Sequence, residues 1–120
     1  MLEKLVQYEA VEMIQKAKGK VIKQIFLDRP QEEVRLLALA VIRKGEFVGL
    51  FGLRGKERAH VFLVCSESLG LDMRELVPVV SPLIEGKGGG RPSLVEISGE
   101  KKENLEQALD KAYQHISEKL

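Results

Sequence analysis

The sequence predicts a mixed α/β (α+β) fold: a mixed β-sheet of three to four strands flanked by helices, opened by an N-terminal helix and closed by a long C-terminal one. Three observations carry this expectation. Apolar residues recur at helical spacing at both ends of the chain, as Leu2, Leu5, Val6, Ala10, Met13 and Ala17 and as Leu105, Ala108, Leu109, Ala112 and Ile116. Three runs rich in β-branched and aromatic residues, 20–27, 46–53 and 59–65, read as strands. A helical pattern separates the first two runs and a five-residue linker separates the last two.

Residues 2–18 form the leading helix, stopped by Gly19. Its apolar stripe fits either a helix folded back on the core or the stub of a longer dimerisation helix. The chain therefore divides into an N-terminal helix, 1–19, and a globular part, 20–120. After the strand at 20–27, Asp28 stands two residues before Pro30, a capping side chain followed by a helix-starting proline. Glu32 and Glu33 fall in the first turn, which favours the positive end of the helix dipole. That helix runs to about Lys44. Val34, Leu37, Ala38, Val41 and Ile42 form one stripe, widened by Leu36, Leu39 and Ala40, so the helix is largely buried.

The strands 46–53 and 59–65 are apolar on both faces and belong in the middle of the sheet. Arg54, Gly55, Lys56, Glu57 and Arg58 join them as a hairpin. Gly49 and Gly52 mark a bulge or a close backbone approach. The strand–helix–strand segment requires a parallel, right-handed crossover, and the next strand is antiparallel. Residues 66–71 are a loop, and Asp72 caps a helix over 73–85 that Pro78 and Pro82 kink or split. Residues 87–92 form a glycine-rich loop, 94–97 a short edge strand, and 101–119 the closing helix.

Composition narrows the function. At 120 residues and 44% apolar, the chain has one domain's worth of core. Lys plus Arg is 19 against 18 Asp plus Glu, a net charge of +1, so any contact with a polyanion must come from a local patch. No segment approaches the roughly 18 apolar residues of a membrane helix. Cys65 is the only cysteine and sits in an apolar run, which makes it a core residue in a reducing, cytoplasmic setting. His60 and Cys65 differ in strand parity and point to opposite faces, so they do not share a metal. His115 reads as a solvated helix residue. No catalytic constellation, metal set or cofactor motif is found, and Phe47, Phe51 and Phe62 read as core rather than stacking platforms.

The segment with the most information is Gly86, Lys87, Gly88, Gly89, Gly90, Arg91 and Pro92. Consecutive glycines are costly to order. They fit either a plain connector or a place where backbone amides meet an anion, with Lys87 and Arg91 adding charge-assisted contacts. Arg54, Lys56 and Arg58 at the hairpin tip are either an ordinary solvated turn or, if they share a face with Arg91, part of a phosphate track.

The string G-K-G-G-G-R-P, together with E-S-L-G-L-D at residues 67–72, the basic hairpin and the long final helix, resembles the DHH-associated domain. That domain ends alanyl-tRNA synthetases, long-form alanyl-tRNA editing proteins and certain DHH phosphoesterases. The resemblance covers nearly the whole chain. It implies an auxiliary domain that binds tRNA, an alanine-specific one, and that can form a homodimer through residues 2–18. It implies no membrane partner, and a catalytic centre, if a parent enzyme exists, outside this sequence. The DHH phosphoesterases leave open a substrate-binding role instead. Only Gly88, Gly89, Gly90, Arg91 and Pro92 match the family motif residue by residue. The usual continuation of two variable residues, then Ala-Gln and glycines, is here replaced by Val95, Glu96, Ile97 and Ser98. A carboxylate at Glu96 is expected to repel phosphate.

Overall fold

In the computed structural model, which describes residues 2–120, the chain forms one five-stranded mixed sheet with two helices on each face. The elements are α1 (Leu2–Lys16), β1 (Val21–Leu27), α2 (Gln31–Ile42), β2 (Val48–Arg54), β3 (Ala59–Cys65), α3 (Val77–Ile84), β4 (Gly86–Arg91), β5 (Leu94–Gly99) and α4 (Leu105–Ser117). Strand order is β1-β2-β3-β5-β4. As expected, β1 and β2 pair in parallel around α2, and β2 and β3 pair antiparallel as a hairpin. The expected helix over 73–85 is split into a 3₁₀ turn, Met73–Leu76, and α3, with Pro78 in the first turn of α3 at the break and Pro82 inside α3.

The middle of the sheet is dry on both sides. Val48, Leu50, Val61, Leu63, Val95 and Ile97 pack under α3 and α4, and Phe51, Leu53, Phe62 and Val64 pack under α1 and α2. Fully burying each of the larger of these side chains stabilises by about 1.5–3 kcal/mol. The two faces are covered unequally. α4 lies over β1 and β2 while α3 lies over β5 and β4, so both halves of that face carry a helix, with Leu27 of β1 left exposed at the edge. On the other face α2 lies over β2 and β3 and α1 packs beside it, which leaves β5 and β4 without a helix above them.

Several expectations are corrected. The glycine-rich segment is not a loop: Gly86–Arg91 is the edge strand β4, paired antiparallel with β5. The segment beginning at Leu94 is consequently not an edge strand. It extends to Gly99 and lies between β3 and β4, giving five strands where three to four were expected. Asp28 does not cap α2; the N-cap is Pro30, without a side-chain hydrogen bond, and Asp28 takes a positive φ of 49° at the end of β1. Gly49 and Gly52 sit in unbroken register, with no bulge. Gly52 answers instead to close approach, because a Cβ there would crowd Leu105 and Leu109 of α4. The closing helix begins at Leu105, after a 3₁₀ turn over Lys102–Asn104. His115 is half-buried rather than fully solvated.

α1 is folded back. Val6, Ala10 and Met13 enter the core beside α2. Arg29 fastens it: its guanidinium donates to Glu9 at 2.7 and 3.0 Å and to Glu33 at 2.9 Å, and lies 4.9 Å from the Phe26 ring centre. Ser66 is the only buried polar residue among those described. Its hydroxyl lies 2.7 and 2.6 Å from the carbonyls of Ile42 and Gly45 and accepts from the Phe47 amide at 3.0 Å, which anchors the end of α2 to the start of β2.

A groove between α2 and the glycine edge strand

The uncovered end of the sheet is a groove, and its floor follows from strand alternation. On β5, Val95 and Ile97 point into the core, so Leu94, Glu96 and Ser98 point to the open face. Register then sets three rows across the sheet: His60, Ser98 and Lys87; Phe62, Glu96 and Gly89; Val64, Leu94 and Arg91. One wall is α2, where Gln31, Arg35, Leu39 and Arg43 recur every four residues on one side of the helix. The other wall is β4.

Two clefts occupy the ends of this groove. The upper, about 230 Å³, is lined by Gln31, His60, Phe62, Lys87, Glu96 and Ser98 among others. Arg58 joins it by donating from Nε to the Ser98 hydroxyl at 3.1 Å. The lower, about 250 Å³, has Arg43, Arg91, Ser93 and Glu67 in its lining. Between them Arg35 reaches from α2 to Glu96 with two parallel bonds, Nε to Oε2 at 2.8 Å and Nη2 to Oε1 at 2.7 Å. The Glu96 hydrogen bond holds the Arg35 pKa above its ordinary value, against the opposing effect of burial. Among the described residues, Lys87, Arg91, Arg58 and Arg43 make no ion pair.

The sequence-derived site is thus partly assembled. Lys87, Gly89, Arg91 and Arg58 share the groove face. Arg54 does not: by alternation from Leu50 and Gly52 it belongs to the α3/α4 face. Lys56 is at the hairpin tip, where its carbonyl accepts from Lys102. Sequence reasoning missed Gln31, Arg35, Arg43 and His60. The four-residue spacing of the polar members on α2 was the available signal for the first three.

The three glycines separate into two kinds. A Cβ at Gly88 would collide with the Glu96 carbonyl oxygen, and one at Gly90 with the Leu94 carbonyl oxygen, because β4 runs so close to β5. A Cβ at Gly89 would meet nothing within 4 Å. Gly88 and Gly90 are therefore demanded by the fold, whereas Gly89 is not. As a strand, the run also alternates amides with carbonyls along its outer edge. It is not a nest of converging amides, and positive charge in the groove comes from side chains.

The departures from the motif also find places. Val95 and Ile97 fill the core under α3 and α4, Ser98 holds Arg58, and Glu96 is neutralised by Arg35. His60 and Cys65 lie on opposite faces, as parity requires. Burial raises the Cys65 pKa, so the thiol is held in its protonated form. No group of three or more His, Cys, Asp or Glu able to hold a metal ion occurs among the described residues, and none of their helices is long and apolar enough to cross a membrane.

The Gln31 amide nitrogen lies 2.7 Å from a ring nitrogen of His60. Burial, and then the charge of Arg58, lower the His60 pKa, while Glu96 raises it.

Comparison with known proteins places this geometry in context. The family model described as the DHHA1 domain matches residues 6–118. The alanine–tRNA ligase of Leptospira interrogans is 32% identical over 95 residues, 76% of this chain and 10% of that protein. The corresponding ligase of Leptospira borgpetersenii is 31% identical over 100 residues, 80% of this chain and 11% of that protein. The chain therefore spans about a tenth of the length of these relatives. Among solved structures, the C-Ala domain of Aquifex aeolicus alanyl-tRNA synthetase superposes with a TM-score of 0.69 at 20% identity, over 75% of this chain and 84% of that one. RecJ of Thermus thermophilus superposes with a TM-score of 0.60 at 10% identity, over 92% of this chain and 18% of that one. At these identities both likenesses concern the fold.

Two outcomes follow from the local geometry. Gly88→Ala and Gly90→Ala will each lower stability by roughly 1–3 kcal/mol through backbone overpacking. Gly89→Ala will leave it unchanged or raise it by about 0.5–1 kcal/mol through loss of unfolded-state freedom. Urea denaturation of the three variants checks this, and an equal loss at Gly89 contradicts the close-approach account. The second outcome concerns pH. With its folded pKa depressed, His60 binds fewer protons in the native state than in the unfolded state, so stability is full above the ordinary histidine range, near 6.5, and declines as pH falls through it. His60→Gln will flatten the fall in denaturation midpoint between about pH 7.5 and 5.5; an unaltered slope assigns that titration elsewhere.

Proposed function

The chain belongs to the DHHA1 domain family, and from that premise we propose that it is an auxiliary tRNA-binding domain of alanine-tRNA enzymes, acting on an alanine-specific tRNA through the groove between α2 and β4. The observation that carries this reading is the placement of Lys87, Arg91 and Arg58, together with Arg43, without ion pairs along one open face of a protein whose net charge is only +1. Cations on long side chains over a shallow floor suit phosphate contacts rather than base reading. Phe62 on the groove floor is 1% exposed and offers no platform for a base. Affinity then comes from counterion release and falls steeply with salt. Gly88, Gly89, Gly90 and the hairpin cations belong to this proposal in different ways: Gly88 and Gly90 keep the wall in place, Gly89 leaves the floor accessible, and Lys56 extends the basic end at the hairpin tip.

Fluorescence anisotropy with an alanine tRNA over a salt series tests the reading. The combined Arg58→Ala, Lys87→Ala and Arg91→Ala variant will bind at least about tenfold more weakly at low salt, and its log–log salt slope will be shallower by about two to three. Arg54→Ala, on the other face, will change binding little. No binding by the unaltered chain at low salt, or equal losses from the two faces, removes the assignment.

A second reading, self-association through α1, is favoured by a specific observation. Opposite the buried Val6, Ala10 and Met13, α1 exposes Leu5 at 66% and Tyr8 at 75%, with Val11 beside them. Tyr8 and Val11 border a cleft of about 630 Å³ that also includes Gln7 and Lys44. Deleting residues 2–18 would strip three core side chains, so the clean variant is Tyr8→Lys. It will convert a dimer to a monomer in sedimentation velocity without altering the urea midpoint. A protein that is monomeric before substitution ends this reading.

A further inference from the structure

The middle of the groove holds the one charge arrangement that the tRNA reading does not use. Arg35 projects from α2 one turn below Gln31 and one turn above Leu39, between the cations of the upper cleft and those of the lower. Instead of facing the groove as a free cation, it is held by Glu96 through two hydrogen bonds, 2.8 and 2.7 Å long. Glu96 stands in the row that runs from Phe62 to Gly89, directly under the path from Lys87 to Arg91. Those two residues are four apart on one strand, about 13 Å. A polyanion reaching both ends passes over Gly89, alongside this pair.

The pair is in a position to open. Side-chain exposure is 38% for Arg35 and 36% for Glu96, so water reaches both groups and can solvate them when the two bonds part. Glu96 has space to leave: its cross-strand neighbour on the edge is Gly89, where nothing lies within 4 Å of the absent Cβ. Arg35 would keep an acidic neighbour in Glu32, whose charge also acts on it, but no other hydrogen-bonded carboxylate. While closed, the pair is neutral and offers an anion no net attraction. Once Glu96 turns away, the planar guanidinium presents paired donors to a phosphate.

We propose that Glu96 is a carboxylate latch on Arg35, and that Arg35 is a phosphate-binding residue released when a nucleic-acid backbone spans the groove from the Lys87 end to the Arg91 end. The proposal rests on the tRNA-binding reading of the same groove. Its consequence is selectivity by length: a ligand engaging one end meets a closed, neutral middle, and only a backbone crossing the middle gains the extra contact. Glu96 is thus a positioning residue acting through Arg35.

The test uses the full chain and an alanine tRNA transcript, with anisotropy over a salt series for the unaltered protein, Glu96→Gln, Arg35→Gln and the double variant. Glu96→Gln will bind about tenfold tighter at low salt, because the contact no longer requires the latch to open, and Arg35→Gln will bind more weakly with a salt slope shallower by roughly 0.7–0.9, the signature of one lost phosphate contact. In the Arg35→Gln background the Glu96→Gln substitution will give no gain. Urea midpoints for all four proteins establish that each is folded before binding is compared. Glu96→Gln without effect on affinity, or Arg35→Gln without effect on the slope, overturns the latch, as does an equal gain from Glu96→Gln with and without Arg35, which would mark simple removal of a repelling charge. In each case the tRNA reading survives as long as the unaltered chain binds. No binding by the unaltered chain or by Glu96→Gln removes both.

Discussion

Two central strands that are apolar on both faces demand cover on both sides, and the rest of the architecture follows from how that demand is met. β2 and β3 have no face that tolerates water. Four helices are present, and they are not placed symmetrically. α3 and α4 share one face, one over each half of the sheet. On the other, α2 must sit over Phe51, Phe62 and Val64, while α1 is drawn beside it by Val6, Ala10, Met13 and the Arg29 network. No helix is left for β5 and β4 on that face. The groove is therefore a by-product of where the core needs cover, and its polar floor of Glu96 and Ser98 is what an uncovered strand face must carry.

Electrostatics then act locally rather than globally. A net charge of +1 gives no long-range field. What matters is how cations are distributed between structural and unengaged roles. Arg29 is spent on holding α1, Arg74 on Asp72, and Lys119 on Glu75. Along the groove, Lys87, Arg91, Arg58 and Arg43 make no ion pair among the described residues, and Arg35 is engaged with a single partly buried carboxylate. A balanced composition can thus coexist with one face where positive groups outnumber the acids, here Glu96 and Glu67.

Much of this fold was legible in the sequence because it rests on periodicity. The central strands, the hairpin, the parallel crossover around α2 and the split just before Pro78 all leave local marks. The edge strand was not legible, because glycine carries no strand preference and three in succession look like a loop. A subtler pattern was present: Leu94, Glu96 and Ser98 alternate with Val95, Ile97 and Gly99, a half-buried strand, joined through Pro92 and Ser93 to a run of equal length. Of the site, Lys87 and Arg58 were named from charge, and Arg91 from charge and from the family motif. Arg35 and its partner Glu96 are 61 residues apart, and no local pattern links them. Gln31 and His60 likewise meet only because α2 docks over β3.

The glycine edge has a further consequence for solubility. β4 ends the sheet with its outer backbone groups uncovered and four residues without side chains, the kind of border along which sheets from different molecules zip together. If two copies approached edge to edge in antiparallel register about Gly89, Lys87 of each would fall opposite Arg91 of the other. Like charges facing each other across a ladder oppose the pairing. The same two side chains that draw a polyanion into the groove thus act as gatekeepers against β-aggregation, at the one border where glycine leaves the backbone bare.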